Sequence, residues 1–245
     1  MFGKIAKWFV LCIAASAVGG TQVPEQDLQT LLRLKIGNYW VYRGTVEWTY
    51  PSGPEEDAKS ARTRFGKKHI TWKSEIIEEV TRGEVKALLV QGSIFDLPWY
   101  EPGTKPEQYL WVIYRNRFYS IGAKPEILAR FHDPKDSLTT LIIAEEPVLQ
   151  FPLRLNKCTV EVKPEEPRER DDLRYCWFLE SKSGKDLSSV GLPPNAVDVW
   201  TACYQTIPSH EVLGFAPTIG FVSFDFSHHG TLAEAHVKLV EAHLQ

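Results

Sequence analysis

The 245-residue chain has one methionine, four cysteines and no block of basic residues. Lys and Arg number 28 against 31 Asp and Glu, a formal charge of −3. A chain so balanced lacks the electrostatic footprint of a nucleic-acid binder. There is no Gly-x-Gly-x-x-Gly, no Walker-type phosphate loop, no His-Glu-x-x-His and no Gly-x-Ser-x-Gly. The dinucleotide, nucleotide, zinc-protease and serine-hydrolase chemistries that travel with those motifs therefore have no support, and no cofactor is expected. Beyond residue 18 no apolar run approaches the roughly 20 residues that a membrane-spanning helix needs.

What is present begins at the N-terminus. Lys4 and Lys7 precede an apolar run over 8–18, and Ala15-Ser16-Ala17 offers a small-x-small cleavage signal, with 18–20 as a second option. This plan predicts a secretory signal peptide over 1–20 and a secreted or periplasmic protein. Cys12 lacks the preceding small residues of a lipid-attachment site. Cleavage leaves 26 basic against 31 acidic residues, a charge of −5, and no transmembrane segment. It also leaves Cys158, Cys176 and Cys203, an odd number in a compartment that permits disulfides. A hairpin folded about Pro167 sets Cys158 against Cys176. Cys176 with Cys203, or three buried thiols, are the alternatives.

The stretch 33–50 organises the rest. Gly37-Asn38 signals a turn. Trp40, Tyr42, Gly44, Val46, Trp48 and Tyr50 then alternate with Arg43, Thr45, Glu47 and Thr49. A period of two with one aromatic face predicts a half-buried strand. Residues 21–33 are a lead-in, with Pro24 opening a short helix, and 51–68 a polar loop. Residues 69–80 alternate, with Ile70, Trp72, Ile76 and Val80 on one face, and pair with 85–95. The latter is apolar on both parities and so reads as a central strand. A Pro-rich loop over 96–107 precedes strands at 109–114 and 118–121. Residues 123–137 are irregular or hold a short helix, and 138–149 is an interrupted apolar stretch. Residues 158–162 and 173–179 read as a long-looped hairpin, with Leu173, Tyr175, Trp177 and Leu179 sharing a face. Strands at 197–207 and 219–226 flank a turn at Gly214-Phe215-Ala216-Pro217. Residues 232–244 have helix-forming composition, yet Val237 and Leu239 alternate with His236 and Lys238, and we read a strand. Residues 34–40 are echoed by 153–159, where Gly37 and Asn156 both suit a left-handed backbone. Residues 34–245 are thus one β-rich domain, or two halves at 34–150 and 151–245.

These pieces resemble a set of secreted or lipid-anchored bacterial β-rich proteins of unknown function with a Pro-Leu-x-x-Gly-x-x-Trp-x-Tyr motif. Leu34, Gly37, Trp40 and Tyr42 match it, with Arg33 in place of the proline. Phe151-Pro152-Leu153, Tyr175 with Trp177, and Gly220-Phe221-Val222 match later motifs, and Asn156 stands where a glycine is usual. The resemblance implies an all-β, mainly antiparallel fold, a single strongly curved sheet or half-barrel with minor helix and long loops. Its outline is similar to periplasmic lipoprotein carriers, which hold acyl chains on an apolar concave face. It implies no catalytic residues.

Gly37, Trp40, Tyr42, Trp177 and Gly220 are the expected structural core. Trp99 and Tyr100, in the Pro-rich loop, and Trp111 are candidate ligand contacts. Asp225, His228 and His229, with His236 across the turn, are the nearest approach to a metal site, but adjacent histidines on a strand diverge and no metal is expected. The leading functional reading is a non-catalytic extracytoplasmic protein holding a lipid or other apolar ligand on its curved sheet. The alternatives are a structural or protein-interaction module of the cell envelope, with an envelope protein as partner, and a secreted hydrolase.

Overall fold

In a computed structural model, residues 32, 34–48, 67–101, 103–159, 173–190, 196–228 and 232–245 are described. The predicted signal peptide, most of the lead-in with Arg33, the 51–66 loop and His229 lie outside them.

Eleven strands form one antiparallel sheet: β1 (Tyr39–Trp48), β2 (Lys68–Arg82), β3 (Val85–Gln91), β4 (Gln108–Tyr114), β5 (Arg117–Gly122), β6 (Leu149–Gln150), β7 (Trp177–Asp186), β8 (Ala196–Gln205), β9 (His210–Ala216), β10 (Gly220–Ser227) and β11 (Leu232–His243). The spatial order is β6-β5-β4-β3-β2-β1-β11-β10-β9-β8-β7. Two meanders therefore run outward from the β1–β11 pair, and the final segment is a central strand.

The sheet curls until its two ends nearly meet, and the chain between β6 and β7 spans the gap. On one side Val148 N–H donates to Phe118 O and Phe151 N–H to Asn116 O, both at 2.8 Å. On the other, Asn156 N–H donates to Leu179 O at 2.7 Å and Thr159 N–H to Trp177 O at 2.8 Å. A strand edge that would otherwise offer unpaired amides is covered by this segment. Asn156 and Gly37 both hold positive φ, 55° and 83°. The echo nonetheless differs in outcome. Gly37 leads into a ten-residue strand, whereas the second copy makes only the bridges Leu155–Leu179 and Cys158–Phe178.

The predicted alternation of β1 places Trp40, Tyr42, Val46 and Trp48 in the barrel interior. Trp40 lies 5.6 Å from Trp111, and Trp111 lies 5.7 Å from Phe118 and 5.6 Å from Phe221, ring centre to ring centre. Phe215 joins the cluster 5.6 Å from Phe221. Indole and phenol groups in such a core need polar partners. Trp40 Nε1 donates to Ile219 O at 2.6 Å, and Tyr42 Oη to Phe221 O at 2.9 Å. Gly220 has φ +104°, and its bare Cα faces the Trp40 indole, where a Cβ would come 3.3 Å from Nε1.

Strands β3–β5 are apolar on both parities because they are covered twice. Val85, Ala87, Leu89, Leu110, Val112, Tyr119 and Ile121 face outward, under the helix α1 (Pro125–His132) and the 138–142 segment, while Leu88, Val90, Trp111 and Ile113 face inward. Pro125 opens α1, where its missing amide costs nothing. At the other end the Arg82 guanidinium donates to the carbonyls of Arg130, Phe131 and Asp136 at 2.6–3.2 Å, supplying partners that the last turn lacks.

Several local expectations are corrected. Val80 does not share a face with Trp72 and Ile76. A bulge between Ile76 and Glu78 reverses parity, and Val80 packs outside with the α1 cluster. The strand expected over 85–95 ends at Gln91, because Gly92 turns with φ +66°. Gly214 to Ala216 belong to β9, not to a turn, which falls at Thr218. Leu173 and Tyr175 precede β7 with φ 50° and 57° and do not extend the face of Trp177 and Leu179.

Candidate functional site

The strongest concentration of polar chemistry lies at one end of the barrel, built on a plug. After Gly92 the chain enters a 3₁₀ turn, Ile94–Trp99, with Ile94 and Leu97 fully buried. Its root is fixed by four hydrogen bonds. Trp72 Nε1 (2.8 Å) and Ser74 Oγ (2.5 Å) donate to Gly92 O. Trp111 Nε1 donates to Ser93 Oγ at 3.0 Å, and that oxygen accepts the Phe95 amide at 3.4 Å. Phe95 meets Phe221 edge-on at 5.2 Å and Trp177 at 6.3 Å, closing the end from inside.

At this end Tyr109 lies within electrostatic reach of Asp96, in the plug itself, and of Glu211. Asp96 is 3% exposed and accepts the Glu107 amide at 2.7 Å. Tyr109, at the start of β4, shares the inward parity of Trp111. Glu211, at the start of β9, shares that of Leu213 and Phe215 and pairs with Tyr204 and Phe226. Burial raises the Asp96 carboxyl to about 6 against the opposing Glu107 amide, and raises Glu211 to about 7. Burial, and then the charges of Asp96, Glu107 and Glu211, hold the Tyr109 phenol well above its ordinary range. Glu211 is half-buried by surface area yet packed among apolar neighbours, and it accepts no hydrogen bond among the described residues. Near neutrality both carboxyls therefore hold a proton more often than an exposed carboxylate does. Among the described residues neither is hydrogen-bonded to a Ser, Thr, Cys or His side chain that it could activate as a nucleophile.

The raised values fix a sign. A carboxyl that holds its proton more tightly when folded contributes stability below its unfolded value and loses it as pH rises through its folded value. The unfolded values are 3.8 and 4.5, so the loss falls between those and about 6 for Asp96 and about 7 for Glu211. It amounts to at most ~3 kcal/mol for Asp96, less for Glu211, which retains water contact. Urea midpoints are expected to be higher at about pH 5 than at about pH 8, with a flatter profile in Asp96→Asn and Glu211→Gln. An identical profile in both variants would remove these groups as the cause.

The residues singled out from sequence fall in different places. Trp99 is 58% exposed at the outer end of the plug. Tyr100 follows it, half-buried, edge-on to Trp72 at 5.1 Å, with its carbonyl accepting from Trp48 Nε1 at 3.2 Å. Trp111 is 1% exposed and belongs to the interior, apart from the other two. Asp225 pairs with His236 Nδ1 at 2.8 Å on the outer face, and His228 sits in the following turn with φ +69°. Among the described residues no three His, Cys, Asp or Glu side chains converge as metal ligands. Cys158 and Cys176 form a disulfide, with Cα atoms 5.6 Å apart, and Cys203 is a buried free thiol. Burial, with Glu180 adjacent, pushes that thiol up to about 12, which makes it inert.

No motif or local pattern in the sequence marks Asp96 or Tyr109. For Glu211 a signal exists: it occupies the odd positions of His210–Ala216 with Leu213 and Phe215, a carboxyl on an apolar face. That face is visible only once Gly214 and Phe215 are placed in the strand instead of a turn.

The fold and site define a nearly closed antiparallel β-barrel with one plugged end. No family model matches the chain, and no curated protein does. Among solved structures, an exported protein with a YmcC-like fold from Bacteroides fragilis is similar at 8% identity, over 87% of this chain and 98% of that one, with a TM-score of 0.37. Among the described residues no helix is long and apolar enough to cross a membrane.

Proposed function

We propose that the protein is a non-catalytic extracytoplasmic binding protein whose working surface is the plugged end of the barrel. The extracytoplasmic placement is supported by the charged, apolar, small-residue plan of residues 1–20 and by the Cys158–Cys176 disulfide. The concave face that would cradle an acyl chain is occupied by the protein's own Trp40, Trp111, Phe118, Phe215 and Phe221. Contact with a lipid or other apolar ligand therefore falls to Trp99 and Tyr100. The carrying observation is Trp99, a large aromatic 58% exposed on a turn whose root is buried and hydrogen-bonded. Such a side chain presents apolar area with little ordering cost on binding.

Calorimetric titration with a long-chain fatty acid tests this reading. Trp99→Ala is expected to bind about tenfold more weakly, with stability unchanged within about 0.5 kcal/mol, because the ring is exposed. Equal affinity in both proteins would remove the plugged end as the site.

The filled interior also favours a second reading, a protein-interaction module of the envelope, in which Trp99 seats in a partner's pocket as a hot spot. Under that reading fatty acid does not bind. A photo-crosslinker at position 99 then gives one adduct of defined mass in envelope extracts.

A further inference from the structure

A second feature lies away from the plugged end, at the seam where the barrel's two edges are joined. The segment between β6 and β7 encloses a cavity of about 130 Å³ against Leu179 of β7, lined by Gln150, Phe151, Arg154, Lys157, Cys158 and Thr159, with Pro152 at its margin. Two of its lining residues, Phe151 and Thr159, are buried. Phe151 is 8% exposed and contacts Phe215 at 6.3 Å, and Thr159 is buried with its hydroxyl donating to Pro147 O at 2.6 Å. Its rim is different. Arg154 and Lys157 are exposed, stand on either side of the Leu155–Asn156 turn, and make no ion pair or hydrogen bond among the described residues. The Gln150 side-chain amide is likewise without a partner there. Among the described residues no carboxylate lines the cavity.

Lys73, Lys86, Arg130 and Lys182 each meet a carboxylate, whereas Arg154 and Lys157 meet none among the described residues and, unlike the other unpaired cations, border one recess together. Among the described residues, two cations and the Gln150 amide supply donors around one small recess, and no carboxylate supplies acceptor charge. The guanidinium offers a fork matched to planar or tetrahedral oxyanions, and the ammonium adds a point charge. The volume lies below the several hundred Å³ of a site that encloses a whole organic ligand. It suits a compact anionic group.

We propose that the seam cavity binds a phosphate group, held by Arg154, Lys157 and Gln150. Two cations match its dianionic form. The group can arrive as a free phosphate or as the headgroup of an anionic lipid, and the chemistry of recognition is the same. Because the cavity is formed jointly by the closing segment and by β7, occupancy ties the two edges of the sheet together. Binding to the closed form then stabilises it by mass action.

The test uses the intact protein with inorganic phosphate, at constant ionic strength set with chloride. Phosphate is expected to raise the melting temperature and to bind in calorimetry. The double variant Arg154→Gln/Lys157→Gln is expected to bind at least about tenfold more weakly, with the same melting temperature in chloride, since neither side chain has a partner to lose among the described residues. Gln150→Glu provides a second variant, in which an added carboxylate abolishes binding. Sedimentation with phosphatidylcholine vesicles containing phosphatidic acid identifies the source. Pelleting by wild type and not by the double variant assigns a lipid headgroup, whereas phosphate binding without pelleting assigns a soluble anion. Binding of neither probe, or equal binding by wild type and both variants, overturns the proposal.

Discussion

Replacing Trp40 with alanine is expected to cost roughly 3–5 kcal/mol, the range for deleting a large buried aromatic without collapse of the site. Three features of the fold place Trp40 in that range. The side chain is 0% exposed and packs against Trp111 at 5.6 Å. Its Nε1 donates to Ile219 O at 2.6 Å, so truncation also leaves a buried carbonyl without its donor. Gly220, in a left-handed backbone with φ +104°, lies flat against the indole and has no side chain with which to fill the gap. Trp40→Phe separates the contributions. It keeps most of the ring volume and loses the donor, and is expected to cost about 1–3 kcal/mol. Chemical denaturation of the three proteins gives both values. Full stability in Trp40→Ala would place that side chain outside the core.

Removing the disulfide is the second large effect. Cys158 and Cys176 are 18 residues apart, and closing a loop of that length contributes about 3 kcal/mol in the chain-entropy account. Cys176→Ser is expected to lose about that much. The consequence is local in the native state, because the bond fastens the closing segment to the start of β7. The amides of Asn156 and Thr159 donate to Leu179 and Trp177 across the seam. Hydrogen exchange in the variant is expected to accelerate at those two amides while the β1–β11 pair keeps its protection. Uniform acceleration over the whole sheet would show that the bond holds the fold as a unit and not the seam. Cys203 offers no replacement partner, since it is buried and its thiolate is strongly disfavoured.

The two effects differ in how far each was visible in advance. Trp40 announces itself locally: it stands on the apolar parity of an alternating stretch just after a Gly-Asn turn, and period two alone puts it on the buried face. The Cys158–Cys176 pairing was one of several open possibilities, because connectivity depends on which strands meet. The same division runs through the site. Trp99 and Tyr100 could be picked out by composition, as aromatics in a Pro-rich loop. Asp96, Tyr109 and Glu211 could not be brought together, because they come from a 3₁₀ turn and from strands on opposite arms of the sheet.

By itself the sequence determined the all-β class, the faces of β1, the double burial of β3 and the left-handed turns at Gly37 and Asn156. Each of these follows from short-range side-chain periodicity or from the backbone freedom of a single residue. Only the tertiary structure decided that the curved sheet nearly closes, that a plug and its own rings fill the interior, and that α1 covers the outer face of β3–β5. It alone decided that the bulge after Ile76 turns Val80 outward, and that Arg154 and Lys157 flank a recess at the seam. Those outcomes depend on which distant segments share a strand edge, and on a one-residue shift that reverses every side chain beyond it.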